Sequence, residues 1–191
     1  MVAVGILLAL LVVASITDLR AHIIFNWTVY PGILAAFALN GLGEGLWYQE
    51  VLSPEALERI WGFIGLGQSL AGFLLCGLIM VACYVFFHVG GGDVKLIAMV
   101  GAFLGPYQGL EALLWTFVLG AAAGLMTLIW RHGPVRIVRR IWVQVISTIG
   151  LRRWAPLAEA ERSELQTRLY LAPSALLAVV IVHWDLARLI S

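Results

Sequence analysis

The sequence predicts an all-α membrane protein, a polytopic bundle of about six transmembrane helices with one interfacial amphipathic helix, and three observations carry that expectation. Of 191 residues, 62% are hydrophobic and only 12% charged, against roughly 45–50% and 25% in a soluble globular domain. The apolar residues are gathered in runs near or above the roughly 20 residues that cross a bilayer, which leaves little chain for a separate soluble domain. Tryptophan and tyrosine bracket such a run, as interfacial belts do. One integral-membrane domain, 1–191, is expected. A net charge of +1 gives no basis for a nucleic-acid partner, because membrane topology accounts for where the arginines lie.

Met1 to Thr17 is almost wholly apolar and lacks the basic start and small-residue cleavage site of a secretory signal, so it reads as a retained first span. It ends at Asp18, followed by Arg20, His22 and Asn26 in a short polar connection. A second run, Trp27 to about Leu42, is bracketed by Trp27, Tyr30, Trp47 and Tyr48. Glu44, Glu50, Glu55 and Glu58, with Pro54, then mark an acidic loop. The third run, Phe63 to Val89, holds Cys76 and Cys83, whose apolar setting and wide spacing suit buried thiols rather than a disulfide or metal site. It delivers the chain to Gly90–Leu96, reading GGGDVKL.

From Val94 to Leu104 the apolar run covers about half of a hydrocarbon core before Gly105 and Pro106 break it. Either Asp93 is recessed in the membrane or the Gly105 to Gly109 turn dips inward. The fifth run, Leu110 to Trp130, is long enough to cross, and Gly120 to Gly124 offer it a small-residue surface for helix packing. Residues 131–168 form an arginine-rich loop, in which Ile137, Val138, Ile141, Trp142 and Val145 recur at the spacing of an interfacial helix. The last run spans Leu169 to about Trp184, with Pro173 near its start.

Counting crossings places the polar features. Two spans separate Asp18 from the GGGD turn and two more separate that turn from the arginine-rich loop, so all three share one face. Eight of the twelve basic residues lie in that loop and the acidic loop lies opposite, so the positive-inside bias makes the shared face cytoplasmic and puts both termini outside.

Asp93 and Lys95 sit between two apolar segments, where an ionisable group is costly and marks a functional site by default. Two carboxylates from distant parts of a chain, held at a partly desolvated surface, share one proton. That state suits activation of a water while a carbonyl oxygen or leaving amine is protonated, as in peptide hydrolysis. Gly90, Gly91 and Gly92 would open backbone conformations closed to other residues and let an extended substrate approach. Other readings compete. Asp93 could cap the following helix with Lys95 snorkelling to the surface, Arg20 and Lys95 could be topological anchors, and Asn26 could fix the connecting turn. His22 and His88 flank the aspartates, but no dense ligand cluster accompanies them, so neither a metal site nor a cofactor is expected.

These residues carry a resemblance. Gly90, Gly92 and Asp93, followed by Val94, Lys95 and Leu96, resemble the Gly-x-Gly-Asp signature of intramembrane aspartyl proteases, specifically of the type IV prepilin leader peptidases. Asp18, Arg20, Ile24 and Asn26 are similar to the family's upstream Asp-x-Arg-x-x-x-Ile-Pro-Asn element, with Phe25 where the family has proline. The resemblance implies a prepilin peptidase, an aspartic-type endopeptidase. It would remove the basic leader from type IV pilin-like or pseudopilin precursors at the cytoplasmic face of a bacterial or archaeal inner membrane. Asp18 and Asp93 would be the catalytic pair, with Gly90, Gly91, Gly92, Lys95, Arg20 and Asn26 supporting them or contacting substrate. The implied partners are the precursor and membrane lipid. Bifunctional members carry a cysteine cluster in the first cytoplasmic loop and also methylate the product. Here Asp18 to Trp27 contains no cysteine, which implies a minimal, peptidase-only form. From another class, a small transporter or channel could use Asp18 and Asp93 to relay protons or hold a cation, although the chain has no internal repeat of the kind such folds often show.

Overall fold

The computed structural model describes residues 2–21, 23–50, 52–87, 89–132 and 171–184. Among them there is no strand. The helices are α1 (Val2–Ala21), α2 (Asn26–Tyr48), α3 (Pro54–Trp61), α4 (Leu66–Phe87), α5 (Gly91–His132) and α6 (Leu171–His183). This is the all-α, membrane-type bundle expected. Helices α1, α4 and α5 are long and apolar enough to cross a membrane, and α6 is a shorter apolar helix. The arginine-rich loop with its expected interfacial helix lies outside the described residues, as do His22 and His88.

By its contacts the chain divides into a unit of residues 1–119 and 170–191 and a unit of residues 120–169. Of the second unit, residues 120–132 are described. They continue α5 as regular helix, with the Thr127 hydroxyl donating to the Ala123 carbonyl at 2.8 Å. Ala121, Ala122 and Ala123 are exposed there. All other described residues belong to the first unit.

Helix α1 is apolar on every side. Ala3, Leu7, Leu11 and Ala14 recur every three or four residues and are buried, whereas Val12, Val13, Ile16 and Leu19 face outward. A helix hydrophobic all round has no water-facing side, as a bilayer permits. The buried stripe packs against α2 and α6. Helix α6 presents Ala172, Ala175, Ala178 and Val179, all fully buried, and small side chains of this kind let helix axes approach closely.

Helix α2 continues to Tyr48, beyond the Leu42 limit of its apolar run. Its polar far end is put to use. The Asn40 Oδ1 accepts the Ile64 backbone N–H at 3.0 Å and the Glu44 Oε2 accepts that of Leu66 at 3.2 Å, so both side chains hold the entry to α4. The acidic loop is partly helical. Ser53 caps α3 by accepting the Ala56 N–H at 3.3 Å, Pro54 opens it, and Gly62 closes it at φ 73°, a left-handed position that favours glycine.

Helices α4 and α5 run antiparallel with their backbones in contact. A Cβ on Gly72 would strike the Gly101 carbonyl and come within 2.6 Å of the Gly105 carbonyl carbon, and one on Gly101 would lie 2.9 Å from the Cys76 Sγ. The Ser69 hydroxyl completes this seam by donating to the Ala102 carbonyl at 2.6 Å. At Gly105 the backbone takes φ 77° and ψ −178°, a region essentially reserved for glycine, and α5 folds back. A Cβ on Gly109 would lie 3.0 Å from the Gly101 Cα, two positions that a straight helix would hold ~12 Å apart. Two limbs therefore replace one rod, and the first begins at Gly91 rather than Val94 because the GGD residues form its first turn. Both cysteines are free, Cys76 buried in the glycine seam.

Candidate active site

Asp18 occupies the next step of the α1 core stripe, four residues past Ala14 and seven past Leu11, so helical periodicity aims its carboxylate inward. It is only 8% exposed. Its Oδ2 accepts the backbone N–H of Ala172 at 3.4 Å. That donor lies in the first turn of α6, where N–H groups have no helical acceptor and a carboxylate oxygen supplies one. Pro173 follows and has no N–H to offer.

Asp93 sits in the first turn of α5. The turn closes on Gly90, whose carbonyl accepts the Asp93 N–H at 3.0 Å and the Val94 N–H at 3.4 Å. The side chain folds back over the same glycine, since a Cβ on Gly90 would lie 2.9 Å from the Asp93 Oδ2. On the other side a Cβ on Gly92 would come within 3.1 Å of the Ile24 Cβ, so the α1–α2 connection rests on the GGGD turn. The unusual backbone angles expected of the glycines are not found. None of the three takes a positive φ; a Cβ on Gly90 or Gly92 would crowd Asp93 or Ile24, and one on Gly91 would make ordinary contact with the Tyr84 ring at 3.9 Å.

The two carboxylates thus arrive from α1 and α5 at the same end of the unit, close enough to act on one another electrostatically. Beside them Lys95 donates to the Oδ1 of Asn26 at 3.1 Å, and its ammonium lies 5.1 Å from the centre of the Tyr30 ring in a cation–π arrangement. Asn26 and Lys95 are therefore joined to each other, tying the start of α2 to the first turns of α5. Arg20 is exposed on the last turn of α1. Phe25, which stands in the proline position of the upstream element, has φ −74° and ψ 135°, angles that proline itself adopts. An apolar groove of about 290 Å³ runs from Lys95 and Tyr30 along Val94 and Ala98 of α5 to Gly77 and Phe73 of α4. Among the described residues, no group of three or more histidine, cysteine, aspartate or glutamate side chains is gathered to hold a metal ion.

The type IV leader peptidase family matches residues 5–125, a stretch that includes both aspartates and the glycine seam. The chain belongs to the type IV leader peptidase family. No curated protein and no solved structure matches it. Family membership makes it a membrane peptidase, a hydrolase whose family acts on pilin-like precursors in general. The leader peptidase match stops before α6, so the helix that donates to Asp18 lies beyond it. Sequence reasoning missed that donor. Pro173 marks a helix start, but nothing local says that the start abuts Asp18.

Proposed function

We propose that this leader peptidase is an aspartic-type endopeptidase in which Asp18 and Asp93 together activate water. The observation that supports this reading best is the placing of two acidic side chains from separate helices, one of them 8% exposed, at the same end of an apolar bundle, where Ile24 rests on the GGGD turn. Placing two carboxylates there is costly unless they share a task. In the proposed reaction one carboxylate takes a proton from water as its oxygen attacks the scissile carbonyl, and the other protonates that carbonyl oxygen. Collapse of the tetrahedral intermediate passes a proton to the leaving amine and breaks the C–N bond, so one water and one peptide bond give a carboxylic acid and a free amine.

The substrate in this reading is a type IV pilin-like or pseudopilin precursor whose basic leader is cut off next to its apolar helix. The groove from Lys95 to Phe73 suits apolar side chains of such a helix, being lined almost wholly by apolar residues. The site would face the cytoplasm across six spans, as the count of crossings and the arginine bias indicate, with Asn26 and Lys95 bracing its rim. The test is direct. Purified protein is incubated in detergent with pilin-like precursors from the same genome, and loss of the leader is followed by mass spectrometry. Asp18→Asn and Asp93→Asn are each expected to lower the rate by about 10²–10⁴-fold with folding intact. Cleavage that persists in either variant would show that the pair does not carry the reaction.

A further inference from the structure

Gly72 and Gly77 of α4 both face α5, but packing explains only the first. At Gly72 the two backbones touch. At Gly77 an added Cβ would meet only the Ala98 Cβ, at 3.5 Å, which is ordinary contact. Alanine would fit there and strengthen the middle of the helix, so glycine stands at this position against the local preference. What Gly77 and Ala98 leave open is the floor of the apolar groove beside Lys95. Ala98 is 5% exposed, whereas Leu74, Leu78 and Val81 on the rim are 47–67% exposed, so the groove opens outward from the bundle. Its two ends are held in place. The Phe73 ring stands edge-on to that of Phe37 at 5.5 Å, and the Tyr30 ring lies 5.1 Å from the Lys95 ammonium.

A space of about 290 Å³ is too small for a helix about 10 Å across, but it holds one large apolar side chain with ease, since apolar cavities of about 150 Å³ take up benzene. The pairing of α4 with α5 continues from this floor to the GGGD turn. Seven residues on along α4 and seven back along α5, the Tyr84 ring lies 3.9 Å from where a Cβ on Gly91 would be. The two levels are about 10 Å apart along the helices. Asp93 projects from another side of α5 than Val94, Lys95 and Ala98, but its carboxylate folds back over Gly90 at the end of the helix. A chain leaving the groove past Tyr84 therefore reaches that carboxylate by crossing the turn at Gly91, which has no side chain to bar it.

We infer that Gly77 and Ala98 determine substrate specificity, forming the floor of a socket that takes one large apolar side chain from the first three turns of the precursor's apolar helix. Their small size sets the depth, and the fixed rings of Phe73 and Tyr30 set the length. Leucine, isoleucine, methionine or phenylalanine fits such a socket, and a charged side chain does not. The inference rests on the reading of this groove as the precursor's seat and adds to it the position and size of what is recognised. It also accounts for a glycine that packing does not require.

The test sets Gly77→Leu, which fills the socket from its floor, against the parent chain in detergent. Both are given the pilin-like precursor and a set of precursors in which each large apolar residue of the first three helical turns is shortened singly to alanine. Gly77→Leu is expected to lower kcat/KM for the unaltered precursor by about 10–100-fold, chiefly through KM, while its thermal midpoint stays level or rises. One shortened precursor should be cleaved by Gly77→Leu within about threefold of the parent chain's rate on it. Undiminished cleavage of the unaltered precursor overturns the inference, and so does a loss that no shortened precursor relieves. If Gly77→Leu lowers the midpoint, Gly77→Ala is read in its place, with a loss of about 2–10-fold that the same shortened precursor must relieve. A phospholipid retained by the parent chain in native mass spectrometry and lost from Gly77→Leu, with cleavage unchanged, assigns the groove to lipid and also overturns it. Asp93→Asn separates the two readings. Normal cleavage by that variant sinks the aspartyl mechanism and leaves the socket standing, whereas its inactivity beside a Gly77→Leu that cleaves normally sinks only the socket.

Discussion

The backbone N–H of Ala172 donates to the Oδ2 of Asp18 at 3.4 Å, a buried bond that spans 154 positions in sequence. It fixes one carboxylate of the proposed pair from the first turn of the last described helix. A backbone donor of this kind is set by the fold and cannot be seen in side-chain composition.

Ala172→Pro deletes that N–H and also adds ring atoms at a fully buried position. Precursor cleavage is expected to fall by about 10–100-fold, the usual worth of a hydrogen bond to a charged group. Ala172→Gly keeps the donor and is expected to remain within about threefold of the parent. Equal losses in the two variants, measured by the mass-spectrometric cleavage assay, would point to packing of the Ala172 methyl instead.

Phe25→Pro is expected to raise stability by about 0.4–1 kcal/mol, because φ −74° already suits the ring and the unfolded chain loses freedom. The Phe25 ring lies 6.4 Å from that of Trp27, and loss of this tilted contact sets the upper limit of the gain. Thermal unfolding in detergent measures it. A lowered midpoint would mean that the Phe25 N–H or ring contributes more than the turn's rigidity.

Gly72→Ala and Gly105→Ala are expected to destabilise for different reasons. At Gly72 the added methyl meets backbone of α5 on the facing helix, an overpacking cost of about 1–3 kcal/mol that nearby side chains cannot relieve. At Gly105 the space is adequate, with the Ile64 Cδ1 3.4 Å away, but φ 77° with ψ −178° costs about 1–3 kcal/mol for any residue with a Cβ. Shortening Ile64 in the Gly105→Ala background should therefore recover nothing, and recovered stability would overturn the backbone account.

The Asn26–Lys95 pair is half-exposed and should be weak. A double-mutant cycle on Asn26→Ala and Lys95→Met is expected to give a coupling of about 0.5–1.5 kcal/mol in stability. A coupling several times larger would show that the pair is a principal brace between α2 and α5.

The sequence by itself determined the all-α membrane class, because long apolar runs have only one economical way of satisfying their backbone groups in lipid. It also determined which residues are chemically conspicuous, since Asp18 and Asp93 stand out against apolar neighbours. The break at Gly105 and Pro106 was legible because glycine and proline interrupt an apolar run, whereas the stretch around Pro54 read as an acidic loop and holds the helix α3.

Tertiary structure alone decided the rest. That the α5 limbs fold back on one another, with Gly72 and Gly101 touching, depends on backbone approach, which no periodicity encodes. The three glycines before Asp93 looked like licence for unusual backbone angles, yet Gly90 and Gly92 serve by having no side chain where Asp93 and Ile24 must lie. Ala172 is an unremarkable letter in the chain. Its standing comes from where the helices place one N–H, because hydrogen bonding depends on distance and direction in space and those are properties of the folded chain.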